Sequence, residues 1–218
     1  IADHLHDDRV IRVSSSSKIT SMGWAVFANK GFLSEYRRGK QVASLDLRNF
    51  KTLQGSHNHQ NVCAAYAAVR TLGVGPRLVE EALKSFTGLE HRSQLVDKIS
   101  GVAFVNDSKA TNVDSAMKSL ETFRQVRWIC GGEQKEEDIS RINNVLTNVK
   151  KAYVIGTNSA KFSSQISCEF EICNTMDVAV KKAFSEAECG DTVLLAPAAA
   201  SFDQYSSFEE RGKAFEHE

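Results

Sequence analysis

Short apolar runs alternate with stretches of helical periodicity from residue 101 onward, and this alternation constrains the fold more than any other feature. The runs are GVAFVND (101–107), VRWICGG (126–132), AYVIG (152–156), EFEIC (169–173) and TVLLAPA (192–198). Amphipathic helices are predicted after them, over 112–122, 137–148, 158–165, 175–187 and 205–216. Buried strands that are each followed by a helix are typical of a parallel sheet covered on both faces.

Two further helices are predicted ahead of this region, over residues 58–72 and 77–86. The first ends at Gly73 and the second is closed by Gly88, as is common at helix C-termini. We therefore predict that residues 57–218 form an α/β domain with a doubly wound, mostly parallel, Rossmann-like sheet.

The N-terminal part of the chain has a different texture, with short strand-like stretches separated by turn sequences. Strands are predicted over 21–28, 32–37 and 41–47, with the turns NKG and RGK between them. These strands are predicted to form a small antiparallel β meander. Because three strands make only a small core, we expect them to lie at the edge of a larger sheet. The domain boundary is predicted between residues 56 and 57, which gives domains of residues 1–56 and 57–218.

The charge balance and the cysteine pattern narrow the choice of partners. The 218 residues include 27 Lys and Arg and 27 Asp and Glu, so the net charge favours neither nucleic acid nor an acidic membrane. No apolar run approaches the roughly 20 residues that a membrane helix needs. The five cysteines lack CxxC spacing, so we expect reduced thiols in a cytoplasmic protein and no metal site.

Polar residues follow three of the predicted strands at the point where each strand ends. NDSK (106–109) follows the first, Gly131, Gly132 and Lys135 follow the second, and Ser201 and Asp203 follow the last. In an open parallel sheet, ligands bind beyond the carboxyl ends of the strands. Helix N-termini and lysines there suit carboxylates or phosphates. The sequence therefore predicts a site for an anionic ligand at this edge.

Each of these residues also has an ordinary structural explanation when it is taken alone. Asp107 is a good helix cap, the lysines are typical surface residues, and Ser201 suits a turn. The phosphate-loop pattern GxxxxGK[ST], the GxGxxG pattern and the GxSxG pattern do not occur. His57 and His59 lack a third ligand at metalloprotease spacing. The prediction of a site therefore depends on the three strand ends lying together.

Five segments occur in a recognisable order within residues 54–216: GSHNHQNVCAAYAA, FTGLEHR, NDSKATN, GGEQK and LLAPAAASFDQYSSFEERGKAF. Together they resemble the Mur ligases of peptidoglycan synthesis. NDSKATN and SFDQYSSFEERG are most similar to the branch of the family that adds D-glutamate to UDP-N-acetylmuramoyl-L-alanine.

The resemblance implies an ATP-dependent amide-bond ligase that works through an acyl phosphate. Residues 1–56 would be the end of a central ATP-binding domain, and residues 57–218 the C-terminal amino-acid-binding domain. The phosphate loop and most Mg²⁺ ligands would lie upstream, so this chain alone is expected to be inactive. The resemblance also implies a cytoplasmic bacterial monomer with small-molecule substrates and neither nucleic acid nor membrane as partner.

The resemblance assigns roles to individual residues, but it assigns no catalytic residue and no metal ligand to this chain. The residues implied to bind ATP are Asn58, Asn61, Arg92, Asp107 and Lys109. Those implied to bind D-glutamate are Thr111, Lys135, Ser201 and Phe208, with Thr111 and Lys135 on the α-carboxylate and the other two on the γ-carboxylate.

Two other functions are compatible with the sequence. One is a related ligase, of the diaminopimelate-adding or folylpolyglutamate-forming kind, with another amino acid as substrate. The other is a stand-alone module that binds an acidic amino acid or a nucleotide. All three need Asp107, Lys135 and Ser201 to lie on one rim of the sheet.

Overall fold

The computed structural model describes residues 10–19 and 23–218 of the chain. The first two residues of the strand predicted over 21–28 lie outside the described residues. The chain divides into two compact units, Ile1–Thr87 and Gly88–Glu218.

The first unit contains a sheet of four described strands and two α-helices. Their bounds are β1 (Ile11–Ser14), β2 (Trp24–Asn29), β3 (Phe32–Arg37), β4 (Lys40–Asp46), α1 (Ser56–Thr71) and α2 (Pro76–Ser85), with short 3-10 helices at Leu47–Asn49 and Lys51–Leu53. Strands β2, β3 and β4 pair antiparallel, which confirms the predicted meander. Strand β1 was not predicted, and it pairs parallel with β2.

Helices α1 and α2 belong to the first unit, so the division falls after Thr87 and differs from the predicted boundary between residues 56 and 57. Val62 and Tyr66 of α1 and Val79 of α2 are buried in one cluster with Leu33 of β3. A helical pattern shows which face of a helix is apolar, but it does not show which sheet that face covers.

The second unit is built on a six-stranded sheet. Its elements are β5 (Gln94–Ile99), β6 (Val102–Asn106), α3 (Val113–Thr122), β7 (Val126–Gly131), a 3-10 helix (Ser140–Asn148), β8 (Val149–Ile155), α4 (Ser159–Ser163), β9 (Phe170–Asn174), α5 (Met176–Ser185), β10 (Thr192–Leu195) and α6 (Phe208–His217). The strand order is β5-β6-β10-β7-β8-β9. Only β5 runs antiparallel to its neighbour, so the sheet is mostly parallel, as predicted.

Both faces of this sheet are covered, which confirms the doubly wound arrangement. Successive residues of a strand point to opposite faces. Trp128 of β7 accordingly lies in a buried cluster with Leu120 of α3 and Phe162 of α4. Ile129, the next residue of β7, lies in a second buried cluster with Val180 of α5.

Strand β5 and the 3-10 helix differ from the sequence prediction. Strand β5 was not predicted, because Leu95 and Ile99 leave large parts of their side chains exposed and no apolar run marks the strand. Residues 140–148 form a 3-10 helix where an α-helix was predicted over 137–148. The last helix begins at Phe208, three residues later than predicted, after the Ser207 side chain caps it.

Candidate ligand-binding site

The three strand ends singled out in the sequence are neighbours in the sheet. Strand β10 lies between β6 and β7, with Leu195 opposite Asn106 on one side and Ile129 on the other. All three strands are parallel, so their carboxyl ends lie at the same edge. The structure therefore brings the loops that follow residues 106, 131 and 195 together, as the site prediction required.

Backbone hydrogen bonds join these loops to one another. The N–H of Asp107 donates to the carbonyl of Leu195 at 2.8 Å, and the N–H of Ala198 donates to that of Ala110 at 2.9 Å. Glu133 and Ala200 exchange two backbone hydrogen bonds of 2.9 and 2.8 Å, which form an isolated antiparallel bridge. We refer to loops 106–112, 131–135 and 196–203 together as the rim.

Arg211 of α6 fixes the rim from inside the protein. Its side chain is 1% exposed. Its guanidinium donates to the carbonyls of Ala199, Ala200 and Ser108, at 3.1, 3.1 and 3.0 Å, and to the Ser108 hydroxyl at 3.1 Å. Burial lowers the pKa of Arg211 to about 10. This residue was not among the predicted site residues, because a cation in an amphipathic helix looks like a surface residue.

Two glycines allow the loops to approach this closely. Gly132 has a φ of 129°, and a Cβ atom there would overlap the carbonyl oxygen of Ala200. Gly156, which follows β8, has a φ of 92°, and a Cβ atom there would overlap the carboxylate of Asp203 and the backbone of Gly132. Both positions therefore combine a left-handed backbone with a close contact that only glycine permits.

Asp107 is largely turned into the protein. It is 8% exposed and accepts a hydrogen bond from the Ser119 hydroxyl of α3. Burial raises the pKa of Asp107 above its ordinary value, although hydrogen bonds from Ser119 and Ser93 and the charge of Arg92 oppose this rise. Burial thus disfavours the carboxylate form here, which is a common property of functional acids.

His91 and Asn106 connect the Arg92 segment to the rim. The Asn106 amide nitrogen lies 3.0 Å from His91 Nδ1 and donates to the carbonyl of Gly212 at 3.1 Å. The His91 carbonyl accepts from the Lys109 N–H at 3.0 Å. His91 is buried and Arg92 is exposed, so the buried neighbour fixes the backbone on which the arginine is carried. His91 was not among the predicted site residues.

The remaining predicted residues of the second unit also lie on the rim or against it. Lys109 and Thr111 are half-buried, Lys135 is exposed two residues beyond the Glu133 bridge, and Ser201 is buried. The carbonyl of Phe208, the first residue of α6, accepts from the Ser108 hydroxyl at 2.7 Å. The site residues predicted in this unit therefore lie on segments that are directly hydrogen-bonded to each other.

Asn58 and Asn61 lie in the first two turns of α1, in the first unit. The Asn58 amide donates to the carbonyl of Gln54 at 2.8 Å. This bond uses one amide hydrogen and leaves the side-chain oxygen and the other hydrogen for a ligand.

Within residues 10–19 and 23–218, no group of three or more His, Cys, Asp or Glu side chains is placed to hold a metal ion. Burial raises the pKa of Cys63 to about 12 and that of Cys130 well above its ordinary value, so both are unreactive thiols. Among the described helices, none is both long and apolar enough to cross a membrane.

The rim offers an anion several kinds of donor in a small space. Helices α3 and α6 both begin beside it, and the unpaired N–H groups of a helix N-terminus favour negative charge. Lys109 and Lys135 add positive charge, and Thr111 and Ser201 add hydroxyl groups. The small side chains of Ala198, Ala199 and Ala200 are buried and allow the loops of the rim to pack closely.

The second unit is a Rossmann-like domain, and the rim at the carboxyl ends of its strands is a candidate site for anionic groups. Residues 91–199, half of the chain, match the family described as "Mur ligase, glutamate ligase domain". The chain belongs to the Mur ligase family.

Curated relatives with one shared name match nearly the whole chain. The UDP-N-acetylmuramoylalanine–D-glutamate ligase of Ruegeria pomeroyi is 60% identical over 209 residues, which cover 96% of this chain and 45% of the relative. The enzyme of the same name from Roseobacter denitrificans is 58% identical over 218 residues, which cover 100% of this chain and 47% of the relative. The chain thus spans about half the length of these relatives.

Solved structures with low sequence identity share the fold. The UDP-N-acetylmuramate-alanine ligase MurC of Thermotoga maritima has a TM-score of 0.61 at 16% identity, covering 93% of this chain and 46% of that one. Escherichia coli FolC in complex with DHPP and ADP has a TM-score of 0.59 at 19% identity, covering 89% and 44%. At these identities the likeness shows the fold alone.

Proposed function

We propose that this chain supplies the amino-acid-binding part of a cytoplasmic, ATP-dependent ligase that adds D-glutamate to UDP-N-acetylmuramoyl-L-alanine. The observation that carries the proposal is the 58% identity over all 218 residues to a ligase of that name. In this proposal the remaining half of the polypeptide carries the phosphate loop and the UDP-sugar site, and the first unit, which includes α1 and α2 as well as residues 1–56, completes its ATP-binding domain. The enzyme is a monomer, and this chain alone is inactive.

The chemistry of amide formation explains why such a site is needed. A carboxylate is a poor electrophile, so the γ-phosphoryl group of ATP is first transferred to it to give an acyl phosphate. The amine of D-glutamate then attacks the acyl carbon, phosphate leaves, and the nitrogen loses a proton to give the amide. The protein must therefore hold a dicarboxylate beside phosphate charge and exclude water.

The rim divides this task between its loops in the proposal. Thr111 and Lys135 would hold the α-carboxylate of D-glutamate, with one hydroxyl and one ammonium group. Ser201 and the backbone N–H groups at Phe208 would hold the γ-carboxylate at the N-terminus of α6. The buried guanidinium of Arg211 supports this assignment, because it fixes the loops on which these groups are carried.

The resemblance to the Mur ligases also implies nucleotide-binding residues, which are part of the proposal. Asp107 would accept from a ribose hydroxyl, while Lys109 and Arg92 would lie beside the phosphates. Asn58 and Asn61 would meet the adenine edge, for which an amide has a matching donor and acceptor. The family also uses Mg²⁺, but the described residues of this chain offer no cluster of ligands for it, and we assign no step to a metal here.

Calorimetry on the chain tests the proposal with D-glutamate, L-glutamate and ATP as ligands. We expect weak binding of D-glutamate and weaker binding of L-glutamate. Lys135→Ala should abolish the D-glutamate signal and leave the fold intact by circular dichroism. Lys98→Ala is the matched control, because Lys98 is an exposed lysine of β5 opposite Ala103, near the amino end of β6. Absence of any glutamate binding would refute the proposal, and equal binding of both enantiomers would point to a general module for acidic amino acids.

A further inference from the structure

The aromatic ring of Phe208 lies between two side chains of the rim region. The ammonium of Lys109 is 3.8 Å from the centroid of the ring. The imidazole of His91 meets the same ring in an edge arrangement, with the ring centroids 6.2 Å apart. A cation at this distance from an aromatic face is attracted by the ring quadrupole.

The backbone anchors both members of this pair. Phe208 begins α6, and its carbonyl accepts a 2.7 Å hydrogen bond from the Ser108 hydroxyl. The N–H of Lys109 donates to the His91 carbonyl at 3.0 Å. The side chain of Lys109 is flexible by nature, but its half-buried stem and its contact with the ring restrict where the ammonium can lie.

We propose that the ring of Phe208 is a positioning residue, which holds the Lys109 ammonium at the rim for a phosphate oxygen. This inference rests on the proposed function, in which Lys109 lies beside the phosphates of ATP. The ring covers one side of the ammonium, which leaves its other sides for a ligand. Orienting the lysine before the ligand arrives reduces the entropy that binding would otherwise cost.

The same residue would then serve both ligands through different atoms. Its backbone N–H is part of the proposed cradle for the γ-carboxylate of D-glutamate, while its ring orients the lysine for the nucleotide. Substitutions can separate these two roles. Phe208→Leu keeps the N–H and an apolar side chain but removes the quadrupole, and Phe208→Tyr keeps an aromatic face.

The contact itself is tested by ¹³C NMR of the chain after reductive dimethylation of its lysines, which preserves their charge. We expect the Lys109 resonance, which is identified by its disappearance in Lys109→Gln, to have the largest upfield ring-current shift. The ammonium groups of Lys18 and Lys151 lie farther from their rings, at 5.8 and 5.5 Å from the centroids. Phe208→Tyr should retain the upfield shift, and Phe208→Leu should move the resonance to the position of the exposed lysines. A Lys109 resonance without an upfield shift in the native chain would overturn the proposal.

The function of the contact is tested by titrating tripolyphosphate into the native chain and the variants. Phe208→Leu should weaken tripolyphosphate binding by about 3-fold, whereas Phe208→Tyr should restore it. In a Lys109→Gln background, Phe208→Leu should have no further effect, since the ring would act only through the lysine. Additive effects of the two substitutions, or native binding that Phe208→Leu leaves unchanged, would each overturn the proposal.

D-glutamate titrations separate this inference from the proposed function. If the native chain binds D-glutamate but not tripolyphosphate, the role of the ring is refuted while the proposed function stands. If the native chain binds tripolyphosphate with the expected variant effects but no glutamate, the proposed amino-acid site is refuted instead.

Discussion

Replacing Arg211 should show how much of the stability of the second unit depends on one buried cation. Arg211→Met keeps most of the side-chain volume and removes all four hydrogen bonds to the rim. The carbonyl of Ala200 keeps a second donor, the N–H of Glu133, so the carbonyls of Ala199 and Ser108 are the ones most affected. Each buried acceptor that loses its partner costs about 1–3 kcal/mol.

The two affected carbonyls therefore suggest a loss of about 2–6 kcal/mol in the free energy of unfolding. The burial that lowers the pKa of Arg211 to about 10 also opposes the native state, and the substitution removes that cost. We expect a net destabilisation of about 2–4 kcal/mol, in the lower part of that range. Arg211→Lys should behave similarly, because one ammonium cannot reach four acceptors that a planar guanidinium spans.

Urea denaturation can be followed separately for each unit by tryptophan fluorescence. The two tryptophans are Trp24 in the first unit and Trp128, fully buried, in the second. In a Trp24→Phe background, the fluorescence of Trp128 reports the unfolding of the second unit alone. Lys213→Met is the control, because Lys213 is an exposed cation of the same helix. A change below about 0.5 kcal/mol for Arg211→Met, or an equal change for the control, would refute the argument.

Three further predictions concern stability. Burial raises the pKa of Asp191, but contacts with Lys150, the Glu188 N–H and Arg127 outweigh it and hold the pKa below its ordinary value. The stabilisation from this carboxylate is therefore present above about pH 4 and is lost as the pH falls through the lowered pKa. Asp191→Asn should lower the free energy of unfolding by about 3 kcal/mol at pH 7, and urea midpoints measured from pH 3 to 7 should depend less on pH in the variant. Burial raises the pKa of Asp107, so its contribution to stability declines as the pH rises above about 4. Asp107→Asn should therefore raise the urea midpoint at neutral pH and weaken ATP binding in calorimetry. A lower midpoint would contradict this. Gly156→Ala should lower the free energy of unfolding of the second unit by at least about 1 kcal/mol. Gly190→Ala should lower it less, because Gly190 has a similar φ but no close contact.

The sequence predicted the central part of the second unit well because its strands are buried on both faces. The runs that became β6, β7 and β10 are mostly apolar, with Arg127 as their only charged residue, which distinguishes them from amphipathic segments. Strand β5 lies at the edge of the sheet, and most of its residues are exposed, so it has no continuous apolar run. Its existence depends on pairing with β6, and single-sequence periodicity contains no information about pairing.

The candidate site was predictable to the extent that it depends on strand ends. Asp107, Lys135 and Ser201 were identifiable because each follows a buried run, and the strand order then placed their loops together. Arg211 and His91 were not identifiable, because their importance comes from burial against loops distant in sequence. The charge of Arg211 and its place in a helix indicate a surface residue unless the tertiary contacts are known.

The two ends of the second sheet differ in how their polar groups are satisfied, and a ligand site at the carboxyl ends would account for the difference. At the amino ends of the strands, the buried charge of Asp191 is paired with Arg127 at 3.1 Å and Lys150 at 2.5 Å. At the carboxyl ends, Asp107 is buried where its charge is disfavoured, and Ala198 has a φ of 55° without a polar side chain to stabilise it.

An unfavourable acid and a left-handed alanine are retained in a fold only when other contacts compensate for them. At the rim, the hydrogen bonds of Arg211 provide this compensation. At the opposite end, the ion pairs of Asp191 compensate for the burial of its own charge. If the carboxyl end is the site of ligand binding, relieving its strain should increase stability and decrease binding together. Asp107→Asn tests this. If the variant is no more stable than the native chain and binds ATP equally well, the rim is ordinary structure.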